Sequence, residues 1–201
     1  KVTSLVWFRN NLRVIDNLSL KKSIENSDKV IGYVNIDPNI KSTTIYGFKK
    51  TEKFRIKFLL ESISDLKKQL KKINVSLVVL NEDLKSSINS VIRKYEIDNI
   101  YIQKEWTRDE LIEEECIPSD INLIKDFDQF LFSPSSVSEI YENIPRGFSN
   151  FRKKCEKYLS IDDIIPTPKP LNKNNLIKEE YSIPSISDLG YEEFEVHNDS
   201  T

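Results

Sequence analysis

Histidine, cysteine and glycine are all scarce in this chain, and each shortage closes off a kind of chemistry. One histidine, His197, and two cysteines, Cys116 and Cys155, occur in 201 residues. That leaves almost nothing from which to build a zinc site or a cysteine–histidine pair, and both thiols are expected to be ordinary and reduced. The four glycines, Gly32, Gly47, Gly147 and Gly190, are not clustered. The glycine-rich turn that lets a backbone approach a pyrophosphate is therefore missing, which argues against a nucleotide-dependent dehydrogenase or an ATPase. There is no Gly-x-Ser-x-Gly elbow, and a serine triad would have to recruit His197 from the tail. No run approaches the roughly 18–20 apolar residues that span a bilayer, and Lys1 to Phe8 lacks the apolar core of a signal peptide. A soluble, unexported, cytoplasmic protein is expected, with no membrane partner and a monomeric state. Positive charge is also short, with 30 Lys and Arg against 32 Asp and Glu, a net charge of -2. Gripping nucleic acid by bulk charge is disfavoured, although a local basic patch stays open. The chain begins with Lys rather than Met, as expected of a processed or excised piece.

What is present is a regular alternation. Apolar runs of strand length, Ser4–Phe8, Val30–Ile36, Val75–Leu80, Asn99–Gln103 and Leu123–Phe127, are rich in Val, Ile, Leu and aromatics, as strands covered on both faces should be. Between them lie charged stretches of helical period: Leu18–Asn26, Thr51–Lys72, Glu82–Tyr95 and Thr107–Cys116. In the longest, Phe54, Phe58, Leu59, Ile63, Leu66 and Leu70 fall along one stripe, expected to face the core. Repeated strand–helix–strand units with short connections predict an α/β fold: a doubly wound, Rossmann-like parallel sheet of about five strands with helices on both faces.

The pattern breaks after Phe132, which divides the chain into a core at residues 1–132, a segment at 133–160 and a linker at 161–201. Ser133–Ile144 reads as polar and irregular, and Phe148–Leu159 as one more amphipathic helix. The final stretch carries Pro166, Pro168, Pro170 and Pro184 with no sustained period, the composition of an extended linker.

In such a fold, function sits at the carboxyl ends of the strands. The first strand ends in Arg9, Asn10, Asn11, Arg13, Asp16 and Asn17. Asp16 or Asn17, with Asp16 preferred, is expected to cap the helix beginning near Leu18, while the arginines neutralise nearby carboxylates. After the fourth strand comes QKEWTRDELIEEE, in which Thr107 and Glu110 have capping-box spacing. Glu105 beside Trp106 would suit a planar heterocycle, with the indole stacking and the carboxylate accepting paired hydrogen bonds.

VWFRNNLRVIDNLSL resembles the opening of the cryptochrome and photolyase family. FRIKFLLESISDLKKQL, IYIQKEWTRDELIEEE and IPRGFSNFRKKCEK are similar to the DASH branch in particular, and the resemblance runs from Ser4 to about Lys157. It implies an N-terminal domain that helps hold an antenna chromophore, 5,10-methenyltetrahydrofolate in that branch, in a cleft facing a C-terminal helical domain. That second domain, absent from this chain, would carry FAD and bind DNA, flipping the lesion out of the stack. The parent would split cyclobutane pyrimidine dimers in blue light, preferring single-stranded DNA, or act as a photoreceptor; these 201 residues alone are not expected to be catalytic. Carried over on the matching motif, Glu105 is the pterin-binding glutamate, with Glu110 second and Arg9, Asn10 and Arg13 as contacts to chromophore or partner domain. The chain departs from the pattern at Asn11, where an aspartate is usual and where neutral hydrogen bonds are expected in place of ion pairs. It also departs at Arg146, Gly147 and Trp106, an indole that could stack on a pterin or fill its place. Two other readings stand beside the antenna domain: a self-standing flavin- or nucleotide-binding module, and an interaction domain with a vestigial pocket plugged by Trp106.

Overall fold

The computed structural model describes residues 1–194; His197 lies outside them. Five strands, β1 (Thr3–Trp7), β2 (Lys29–Asn35), β3 (Ser76–Leu80), β4 (Asn99–Gln103) and β5 (Asn122–Asp126), alternate with helices α1 (Leu18–Glu25), α2 (Lys53–Lys72), α3 (Leu84–Tyr95) and α4 (Arg108–Glu114). Helices α5 (Pro134–Ile140) and α6 (Phe148–Tyr158) follow. All four strand pairs are parallel, in the order β3-β2-β1-β4-β5. The chain winds outward from β1 to β3, crosses back through α3 to β4, and winds outward again. This is the expected doubly wound α/β fold.

Strand period divides the core in two. Val6 of β1 and Phe8 just beyond it face a cluster containing Leu20 of α1 and Ile56, Ile63, Leu66 and Leu70 of α2. Leu5 and Trp7 face the other side, against Ile88, Val91 and Ile92 of α3. Each such side chain contributes about 1.5–3 kcal/mol on burial. Gly32 lets β2 pass under this packing, because a Cβ there would lie 3.0 Å from Leu77 and 3.2 Å from both Leu70 and Phe8.

The expected stripe on α2 needs correction at its start. Ile56, not Phe54 or Phe58, continues the buried row of Ile63, Leu66 and Leu70, while Leu59 is half-buried. Two residues before and after Ile56 is about 200° around the helix, so Phe54 and Phe58 are 61% and 71% exposed. Three local expectations also change. Asn17 caps α1, its side chain accepting from Leu20 N at 2.9 Å, whereas Asp16 adopts a left-handed φ of 52° and binds Ile165 through its backbone and carboxylate. Thr107 sits at the start of α4 but makes no side-chain cap bond, so the capping box does not form. Ser133–Ile144 is not irregular throughout: Ser133 caps α5 through Ser136 N, with Pro134 at its first turn, where the missing N–H is harmless.

Among its described residues the proline-rich stretch has a single 3₁₀ turn, Lys173–Asn175, and lies against the domain. Leu171 N donates to Ile73 O at 3.0 Å. The Asn175 amide completes the start of β2 as a peptide would, accepting from Val30 N at 2.9 Å and donating to Val30 O at 3.0 Å. Further on, Leu189 and Tyr191 are buried, and Tyr191 Oη donates to Thr51 O at 2.8 Å. Among the described residues no helix is long and apolar enough to cross a membrane.

Candidate functional site at the carboxyl edge of the sheet

A cavity of about 490 Å³ opens over the carboxyl ends of β1 and β2. Its floor is Trp7, Phe8 and Ile36; α4 supplies one wall through Asp109, Glu110, Ile112 and Glu113, and the beginnings of α2 and α3 supply the others through Arg55, Leu59, Asp83 and Leu84. Lys50 and Arg55 are the cations on its rim, with Asp37 beside Lys50 at 3.0 Å. A hollow beside the point where the winding reverses is where wound sheets take ligands.

Arg9 builds the wall. Leaving the end of β1, its guanidinium lies 5.0 Å from the centre of the Trp7 ring. It donates to Glu110 O at 3.1 Å, to Gln103 O at 2.9 Å and to the Glu114 carboxylate at 3.1 Å. Lys125 of β5 meets the other oxygen of Glu114 at 2.6 Å. The side chains of Arg9 and Glu114 are only 7% and 6% exposed, so the pair is buried and ties β1, β4, β5 and α4 together. Glu113, 3.7 Å from Arg9, has its carboxyl pushed above the usual range by burial, with Arg9 opposing.

The six residues singled out from sequence separate into three groups. Arg9, Asn10 and Glu110 line the cavity. Glu105 lies beyond Asn10, and its Oε1 accepts from Asn10 at 3.3 Å and from Gln103 at 2.9 Å. Trp106 is 53% exposed. It stacks on Phe127 with centroids 4.7 Å apart and planes at 13°, so one face of the indole is already covered, and Phe130 meets it edge-on at 5.8 Å. Arg13 faces away, donating to Asp16 O at 2.9 Å and Asp128 O at 3.2 Å. Asp128, whose carboxyl burial also pushes up, accepts from Leu18 N at 2.7 Å. Asn11 is buried, and its side chain accepts from Arg9 N at 3.3 Å.

What marks this edge is the state of its polar atoms. Among the described residues, seven buried side-chain polar atoms have no hydrogen-bond partner: Arg9 Nε, Asn11 Nδ2, Ser19 Oγ, Asn35 Oδ1, Gln103 Oε1, Glu110 Oε2 and Asp126 Oδ2. All but Ser19 lie at or just beyond the carboxyl ends of β1, β2, β4 and β5. Such groups are rare in folded proteins, and each costs about 1–3 kcal/mol. Glu110 Oε2 and Asn35 Oδ1 are acceptors on residues of the cavity wall. Sequence reading overlooked Asn35, Glu113, Glu114 and Asp128; only their positions just past strands or within the acidic run IEEE could have signalled them.

The DNA photolyase family model matches residues 4–171. The chain belongs to the DNA photolyase family. A cryptochrome DASH of Gloeobacter violaceus is 30% identical over 195 residues, covering 94% of this chain and 39% of the relative. A blue-light photoreceptor of Arabidopsis thaliana is 28% identical over 194 residues, covering 93% of this chain and 43% of the relative. The crystal structure of a Synechocystis cryptochrome superposes with a TM-score of 0.83 at 27% identity, covering 97% of this chain and 42% of that one. An archaeal photolyase from Sulfolobus tokodaii, solved with two FAD molecules, shares the fold with a TM-score of 0.72 at 20% identity, covering 94% of this chain and 41% of that one. The chain thus spans about two fifths of these relatives and corresponds to the N-terminal α/β domain of the family.

Proposed function

We propose that this domain holds a light-harvesting pterin, 5,10-methenyltetrahydrofolate, for a DASH-type cryptochrome or photolyase whose FAD and DNA are bound by the C-terminal helical domain. In that protein, excitation captured by the pterin would pass to reduced FAD and support repair of cyclobutane pyrimidine dimers or photoreception. The observation that carries the reading is that two residues lining the cavity, Glu110 and Asn35, each hold a buried acceptor without a partner, Oε2 and Oδ1. The aminopyrimidine edge of a pterin presents adjacent N–H donors that a carboxylate and an amide oxygen can accept. Trp7 and Phe8 give the ring an apolar floor, and Lys50 and Arg55 on the rim face the carboxylate tail of a folate. Asn10 links this pocket to Glu105. The parallel stack of Trp106 on Phe127 favours a second use of the neighbouring shelf, as a contact for another domain.

Absorbance and fluorescence titration of the 201-residue chain with 5,10-methenyltetrahydrofolate, with FAD as the comparison, tests the reading. Saturable folate binding should weaken about tenfold in Glu110→Gln, the loss of one charge-assisted hydrogen bond. Weakening in Glu105→Ala alone would move the ring to the Trp106 shelf. Folate that never saturates, or FAD that binds more tightly, would overturn the assignment.

A further inference from the structure

The chain is acidic overall, yet residues 41–57 carry Lys41, Lys49, Lys50, Lys53, Arg55 and Lys57 against a single carboxylate, Glu52. The same stretch exposes its aromatic side chains. Tyr46, Phe48, Phe54 and Phe58 are 77%, 62%, 61% and 71% exposed, and Ile45 at the hairpin tip is 92% exposed. A short hairpin, closed by the bridge between Thr43 and Lys49 and by the left-handed Gly47 at φ 85°, presents Tyr46 and Phe48 with ring planes at 16°. The first two turns of α2 then present Phe54 and Phe58, one turn apart on one face, with Phe194 meeting Phe54 edge-on at 4.8 Å. Three of the cations have acidic partners, Lys49 with Glu52, Lys50 with Asp37 and Lys57 with Glu61, but all three lysines are solvent-accessible and such pairs exchange readily for other anions.

Scattered exposed aromatics need no explanation, but a cluster of them embedded in cations does. Burying Phe54 and Phe58 in the core is ruled out by the helical period, since Ile56 occupies the inward position. A stack of flat faces among lysines is the construction that binds single-stranded nucleic acid: bases lie on rings regardless of sequence, and the cations track the phosphates. A duplex, whose bases are already stacked, could use the lysines but not the rings.

We propose that the β2–α2 hairpin and the first two turns of α2 form a binding surface for single-stranded nucleic acid on this domain, with bases on Phe48, Phe54 and Phe58 and phosphates on Lys49, Lys53 and Lys57. The residues that carry it, Phe48, Phe54, Phe58, Lys49, Lys53 and Lys57, do not line the cavity, although Lys50 and Arg55 of the same stretch do, and the proposal stands whether or not the antenna reading holds.

Fluorescence anisotropy of the 201-residue chain with a dye-labelled oligothymidylate of about sixteen nucleotides tests this directly. With three or four phosphates engaged, affinity should fall about 30-fold between about 50 and 200 mM salt. Phe58→Ala should weaken binding about tenfold with the salt slope unchanged, the signature of a lost stacking partner. Lys49→Gln/Lys53→Gln should flatten the slope by about 1.4 in log–log units. Lys71→Gln/Lys72→Gln at the far end of α2 should change little. Equal affinity for a duplex of the same length, no loss in Phe58→Ala, or binding to vesicles of anionic lipid without binding to the oligonucleotide would overturn the proposal. Circular dichroism of each variant separates these outcomes from misfolding.

Discussion

The two edges of the sheet are built from the same kinds of residue and treat them in opposite ways. At the amino edge, polar side chains close the backbone: Asp28 accepts from Val2 N at 2.7 Å, Asp98 accepts from Thr3 N at 2.8 Å, and Asn175 both accepts from and donates to Val30. Asn99 and Asn122 are paired there too, at 2.9 Å. At the carboxyl edge, six buried polar atoms lack partners, and an ion pair is buried where an apolar contact would cost less. A protein only marginally stable leaves buried groups unpaired where something else gains by it. The difference teaches that the amino edge closes its own hydrogen bonds, whereas the carboxyl edge is where a ligand would find groups still to be paired.

The largest effect expected is at the carboxyl edge. Arg9→Leu strands Glu114 beside Lys125 alone and removes the donors to Gln103 O and Glu110 O; the loss should be about 3 kcal/mol in urea unfolding. Arg9→Leu/Glu114→Leu should recover much of it, because the desolvation penalty vanishes with both charges. The double variant should still bind the chromophore poorly, since α4 has lost its anchor. If the single change costs under about 1 kcal/mol, the network is not what holds this edge. At the other edge, Asn175→Ala leaves Val30 N buried without its partner and removes a donor to Asn74 O, for a loss of about 2 kcal/mol. Chromophore titration of that variant should match the parent chain. A change in ligand affinity there would break the contrast between the edges.

The fold was legible because strands covered on both faces must be apolar throughout, which marks β1 to β4, whereas β5, an edge strand with no buried residue, was marked by Leu123 and Ile124 alone. The alternation with helices then left one sensible topology. What sequence could not show was choice among chemically equal neighbours. Asp16 and Asn17 are both good caps, and only the left-handed backbone at Asp16 decides for Asn17. Phe54 and Phe58 share a stripe with Ile63 and Leu66 in a loose reading of helical period, but the helix rotates them out. Arg9, Asn10 and Glu110 were found because polar residues cluster after strand ends. Glu113 and Glu114 were not, because within IEEE nothing distinguishes the carboxylate that turns inward from its solvated neighbours.

The contrast between edges also has a pH dependence, the smallest effect of the three. Burial raises the carboxyls of Glu113 and Asp128, both at the carboxyl edge, above their ordinary range. In the window between the unfolded value, about 4 for either group, and the raised folded value, the folded chain binds more protons than the unfolded one. Stability contributed by these groups therefore falls as pH rises through that window. Asp188, lowered by hydrogen bonds from Ser185, runs the other way: its contribution is present above the unfolded value and lost as pH falls. Glu113→Gln should thus raise the urea midpoint at about pH 7 and leave it unchanged at about pH 3, where the parent carboxyl is already protonated. The gain should be at most about 0.5 kcal/mol, because the Glu113 side chain is 45% exposed and water screens most of the cost. A destabilised variant at neutral pH would mean that the 3.7 Å contact with Arg9 outweighs burial, and that this carboxylate belongs to the structural network rather than to the strained lining of the cavity.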